Sequence, residues 1–104
     1  MQVKGSLKED LRQKIYMISF NLSGKKDNYD ALTAEIKKFT GWCKVWDTQW
    51  LVYTRSNSTE ICHQLQPVLS SSDWLFVCNV TADRMGLISA NAVEWLDKVS
   101  KAQK

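Results

Sequence analysis

Residues 41–54 read GWCKVWDTQWLVYT, and the folding of this stretch decides how the rest is arranged. Trp42 to Trp46 and Gln49 to Arg55 are short aromatic and β-branched runs, separated only by Asp47-Thr48. So short a connection predicts two antiparallel strands in a hairpin. Upstream, Ile15 to Leu22 (IYMISFNL), closed by Ser23-Gly24, predicts a buried strand. Alternation puts Tyr16, Ile18, Phe20 and Leu22 on one side of it and Ile15, Met17, Ser19 and Asn21 on the other. Between this strand and the hairpin, Asp27 or Asn28 caps a helix in which Tyr29, Leu32, Ile36 and Phe39 recur at helical spacing, and Gly41 ends it. Downstream, Asn57 followed by Glu60 has the form of a capping box opening a helix with Ile61, Leu65, Val68 and Leu69 inward, which Pro67 shortens. Trp74 to Val80 predicts a fourth strand, and Asn91 with Glu94 opens a last helix carrying Val93, Trp95, Leu96 and Val99.

The order β-α-β-β-α-β predicts an α+β, ferredoxin-like sandwich whose single sheet carries both crossover helices on one face, followed by a C-terminal extension of a short strand or turn plus a helix. Two right-handed crossovers put the first and third of these strands at the centre. The other face is left partly uncovered. Alternation assigns Trp42, Lys44 and Trp46 to a common face and lets Asn79 join Ser19 and Asn21 in a polar stripe.

The chain has 104 residues, 44% hydrophobic and 24% charged, with four Gly and one Pro, which fits one globular domain and excludes disordered and fibrous classes. Residues 15–104 are read as that domain, and residues 1–14 as a basic arm, mobile or marginally helical. The arm sets Lys4, Lys8, Arg12 and Lys14 against Glu9 and Asp10, which accounts for two of the three net positive charges. The body is therefore close to neutral, and nucleic-acid binding has to rest on local patches. No apolar run reaches the ~20 residues of a membrane span, and the first residues lack the apolar stretch of a signal peptide; the expectation is a cytoplasmic protein with no membrane partner. Cys43, Cys62 and Cys78 are an odd set without a C-x-x-C, read as reduced thiols rather than a disulfide framework or zinc ribbon.

Four blocks in order carry a family resemblance: IYMISFNL, GWCKVWDTQWLVYT, SDWLFVCNVT and the ending DRMGLISANAVEWL. Together they resemble the SinR-like branch of proteins related to the CRISPR-associated ferredoxin-like endonuclease and integration-complex subunit, with VapD-type ribonuclease toxins as more distant relatives. The resemblance covers about Ile15 to Leu96. It implies protomers that pair through their sheet faces, with the chain after the fourth strand, here Met85 to Ile88, reaching the partner. It also implies, for nuclease members, an acidic metal ligand at the end of the first strand. Asn21 stands there in this sequence.

Asn lacks the charge that draws Mg²⁺, so no catalytic residue and no metal are assigned, and the protein leans away from being an enzyme. No cofactor is expected, with Mg²⁺ entering only under a nuclease reading. Asp27 and Asp30 are explained by a helix start and Asp47 by the hairpin, and Asn21 itself suits a strand-end turn. His63 adjoins Cys62 on a helix, about 100° apart, which is no nucleophile–base geometry. Ser70, Ser71 and Ser72 form a polar link with no base assigned. Lys25, Lys26, Lys44, Arg55 and Arg84 are the candidate phosphate contacts. Trp42, Trp46, Met85, Leu87 and Ile88 are the candidate homodimer interface, since large aromatics dominate such contacts.

The leading expectation is a homodimeric, non-catalytic, nucleic-acid-associated or scaffold protein of this CRISPR-associated-like type, in phage defence or a mobile element. The alternatives are a metal-dependent endoribonuclease or endonuclease of toxin type, and an inhibitor module that binds another protein through the Trp-rich hairpin.

Overall fold

A computed structural model describes residues 3–5, 12–23 and 26–102, with the backbone alone for 3–5, 26, 27 and 102. In chain order the elements are β1 (Val3–Gly5), β2 (Lys14–Asn21), α1 (Lys26–Ile36), β3 (Gly41–Trp46), β4 (Gln49–Thr54), α2 (Ser58–Leu65), a 3₁₀ turn (Gln66–Val68), β5 (Trp74–Asn79) and α3 (Ala90–Ala102). The fold is α+β: one antiparallel sheet of order β1-β3-β4-β2-β5, with helices on both faces. β2 and β4 lie side by side at the centre.

The alternation of β2 sorts the core into two halves. Tyr16, Ile18 and Phe20 face Leu32 and Ile36 of α1 and Ile61 and Leu65 of α2, together with Trp42, Trp50 and Val52 of the hairpin. Ile15, on the other side, meets Cys43, Leu51, Tyr53 and the α3 residues Ala92, Trp95 and Val99. α1 and α2 are thus held by one apolar layer and α3 by another, each contributing roughly 25 cal/mol of stabilisation for every Å² of apolar surface it takes out of water.

Helix ends follow local chemistry. The Asn57 side chain accepts the Glu60 amide at 2.8 Å and the Glu60 carboxylate accepts the Asn57 amide at 2.9 Å, the reciprocal capping box read from the sequence. Pro67 falls in the 3₁₀ turn that replaces further α-helix after Leu65. The α3 start differs from expectation. Ser89 rather than Asn91 precedes it, with the Ser89 carbonyl accepting the Val93 amide and its hydroxyl accepting the Ala92 amide. α1 begins at Lys26, so Asp27 and Asn28 lie inside its first turn.

Three further expectations are corrected. Within the segment read as an arm, Val3–Gly5 pairs with β3 (Val3 opposite Cys43, Gly5 opposite Gly41), and β2 already begins at Lys14. The other arm residues, 1–2 and 6–11, lie outside those described. Second, Trp46 leaves the face of Trp42 and Lys44. The register slips between Lys44, opposite Trp50, and Trp46, opposite Gln49, so one extra residue re-aims the strand end. No described residue has positive φ, which rules out the primed turn whose twist ordinarily matches the strands of a two-residue hairpin. Third, Asn79 pairs with Tyr16 and so points to the α1–α2 side, away from Ser19 and Asn21.

Candidate functional site

The face under α3 can be followed row by row across the strands. Tyr53 and Ile15 form one row, and Cys43, Leu51, Met17 and Cys78 the next; both lie under or beside α3. One row further on come Trp46, Gln49, Ser19 and Phe76, then Asn21 and Trp74, and there the apolar cover ends. Trp46 is 53%, Phe76 68% and Trp74 75% exposed. Gln49 bonds across the row to the Ser19 hydroxyl at 3.1 Å. The result is three outward aromatic rings around a small polar centre.

Next to it the chain from Thr81 to Ser89 crosses toward α3. Arg84 fixes this crossing: its guanidinium donates to the carbonyls of Val80 and Thr81 and to the Ser100 hydroxyl of α3 at 2.7 Å. Met85 and Leu87 are left essentially fully exposed, whereas Ile88 packs back on the α3 layer. A cleft of about 550 Å³ lies between crossing and helix, with Met17 and Leu51 among its walls and Met85, Val93 and Leu96 at its rim. Val93, expected inward, is half exposed there.

Of the interface candidates, Trp46, Met85 and Leu87 therefore share the α3 side. Trp42 does not: it is buried against Trp50 on the other face, ring centroids 5.4 Å apart, with the Lys37 ammonium over its ring. Trp74 and Phe76 were not among the candidates. Both alternating sets of β5 are apolar; in the structure Leu75 and Val77 pack against the α1–α2 core, which sends Trp74, Phe76 and Cys78 to the other face.

The candidate phosphate contacts do not gather. Lys44 bonds Asp47 at 3.0 Å, and that hydrogen bond raises its ammonium pKa. Arg84 is held as described, and Arg55 is exposed just beyond β4. Lys25 lies outside the described residues, and Lys26 is described only as the first residue of α1.

Among the described side chains, the end of the sheet at Asn21 carries the carboxylate of Asp73. Asp73 accepts the amides of Ser23 and Ser70 at 2.8 Å each and the Ser23 hydroxyl at 3.0 Å, and these bonds lower its carboxyl pKa to about 2. Among the described side chains, a metal held through Asn21 finds poor ligands: Asn21 brings no charge, Asp73 is taken up by Ser23 and Ser70, and Asp47 is paired with Lys44. Among the described residues no group of three or more His, Cys, Asp or Glu gathers to hold a metal. All three cysteines are free; burial pushes the Cys43 thiol up to about 11 and raises that of Cys62. His63 is exposed on α2 while Cys62 lines a separate hollow with Leu69, Ser70, Ser71 and Leu75. Among the described residues no helix is long and apolar enough to cross a membrane.

No protein-family model, no curated protein and no solved structure matches the chain.

Proposed function

We propose that this chain is a non-catalytic scaffold that works as a homodimer through the uncovered part of its α3-side face. The observation that carries the reading is the outward cluster of Trp46, Trp74 and Phe76, continued by Met85 and Leu87. Three aromatics at 53–75% exposure leave roughly 300–500 Å² of ring surface in water, as large as the biggest patch most monomers tolerate. A twofold partner presents the same patch in return, which makes such a surface self-complementary. The ferredoxin-like reading of the fold belongs to the proposal as well: it is supported by β3-β4-β2-β5, with the first and third strands of the β-α-β-β-α-β unit adjacent, β1 and α3 then being additions.

Local charge favours a protein over a nucleic acid as what the patch meets. Among the described side chains, the charged groups at its two ends are Asp47 and Asp73, and Lys44, on the opposite face, is paired with Asp47. Phosphates need unpaired Lys or Arg beside stacking rings. Sedimentation at micromolar concentration should give twice the mass of one 12.0 kDa chain, with more than ~1,000 Å² buried in the pair. A single-chain mass, or a salt-sensitive shift on single-stranded RNA or DNA that Trp74→Ser abolishes, overturns this reading.

A further inference from the structure

The cleft between the crossing and α3 carries a chemistry that the aromatic cluster lacks. Its walls are mostly apolar: Met17 and Leu51 come from the sheet, Val80 and Ile88 from the chain between β5 and α3, and Leu96 from α3. At about 550 Å³ it has the size of a small-molecule site. Arg84 ties the crossing to α3 through the Ser100 hydroxyl, so the cleft is already formed and a ligand need not order it. Gly86 keeps one wall low, since a Cβ there would meet no atom within 4 Å.

Three charged side chains line the cleft: Asp83, Arg84 and Asp97. Arg84 is engaged by the carbonyls of Val80 and Thr81 and by Ser100. Asp83 and Asp97 are exposed, and among the described residues neither has a hydrogen-bond or ion-pair partner. Two carboxylates against one guanidinium leave the lining a net charge of −1, with the acceptors unoccupied and the donors mostly taken. Apolar walls beside unpaired carboxylates suit a cation that carries its own apolar part. Mg²⁺ or Ca²⁺ is a poor fit, because such ions take oxygen ligands or keep their waters, and Met, Leu and Ile side chains supply no oxygen. Met17 in the wall and Met85 at the rim favour an aromatic stem, since thioether sulfur packs well against rings and the unbranched side chain adapts to their shape.

We propose that this cleft binds a small arylalkylammonium ion, its ring against Met17, Leu51 and Leu96 and its ammonium at Asp83 and Asp97. A primary ammonium has donors enough for two carboxylates and no acceptor for Arg84 to compete over. The cleft is formed by residues of one chain, so the inference goes beyond the homodimer and does not rest on it.

Phenethylammonium is the probe, titrated into the full chain with isotopically labelled methionine methyl groups and followed by NMR. The Met17 and Met85 signals should move together and saturate, with a roughly millimolar dissociation constant, as befits a ligand of so few atoms. Phenethyl alcohol, which keeps the ring without the charge, and methylammonium, which keeps the charge without the ring, should each bind about fivefold more weakly or worse. Asp83→Asn combined with Asp97→Asn, both at exposed positions, should leave the circular dichroism unchanged and weaken phenethylammonium by about fivefold or more. The site is overturned if the alcohol or methylammonium binds as well as the probe, if phenylacetate binds better, or if the double variant keeps the wild-type affinity. A Met17 signal that never moves overturns it too. The comparison of probes on the wild type stands whether or not the variant folds. A chain that sediments as a single copy and still binds the probe overturns the homodimer and leaves this site in place.

Discussion

The two faces of the sheet are built from the same strands, yet one is closed and the other half open. On the α1–α2 side every row from Tyr16 to Phe20 meets a helix, and Trp42, Trp50, Ile61 and Leu65 complete a continuous layer. On the other side the only helix described is α3, thirteen residues and about 20 Å long, which covers the rows of Ile15 and Met17 and leaves those of Ser19 and Asn21 bare. The first face is obligatory, because a strand–helix–strand crossover must lay its helix on the sheet. The second depends on how far one terminal helix reaches. Stability should therefore concentrate on the first face and association on the second.

The largest test of that contrast is Trp50→Ala. Trp50 is 1% exposed within the closed layer, and its removal should cost about 3–5 kcal/mol, read as a lower urea midpoint. Trp95→Ala, on the buried side of α3, should cost about 3 kcal/mol and loosen amide protection in α3 before α1 and α2; equal loss of protection in all three helices would show that the faces are one cooperative layer. Asn57→Ala removes the capping box of α2 and should cost about 1 kcal/mol by the same urea assay.

Asp73 gives a smaller effect that appears only in acid. Its folded pKa of about 2 lies below the ordinary 3.8, so its contribution is complete above pH 3.8 and disappears as pH falls through 2. Acid titration of unfolding should show a shallower limb between pH 4 and pH 2 for Asp73→Asn than for the wild type, with parallel curves above pH 4. The smallest effect on the single chain belongs to Trp74→Ser, within ±0.5 kcal/mol because the ring already stands in water. Measured at a concentration where the chain sediments as a single copy, a loss above 2 kcal/mol would mean that this face is covered within one chain.

Patterns confined to neighbouring residues were legible in the sequence. The hairpin around Asp47-Thr48 and the Asn57–Glu60 box stand where they were read, because a turn and a cap are decided within a few residues. The exposure of Trp74 and Phe76 was hidden because both alternating sets of β5 are apolar, and periodicity does not say which set turns inward. β1 has three residues and no period to detect; its place depends on the edge that β3 offers. The stripe of Ala92, Trp95 and Val99 marks an amphipathic helix, but nothing local says that the sheet of the same chain receives it. The Trp42–Trp46 pairing failed on one residue, since strict alternation assumes a ladder without a slip.

That slip has a consequence for how the chain can drift in length. Between Lys44, opposite Trp50, and Gln49, the chain holds four residues where an unbroken two-residue hairpin holds three. Deleting Val45 would give up its packing against the α3-side layer but leave Lys44 opposite Trp50 and Trp46 opposite Gln49, so the pairing on both sides and the outward ring would survive. A deletion at Cys43 or Leu51 would instead reverse the faces of everything on one side of it, turning core residues into water. Position 45 is where a lineage carrying this fold can lose a residue without losing its surface.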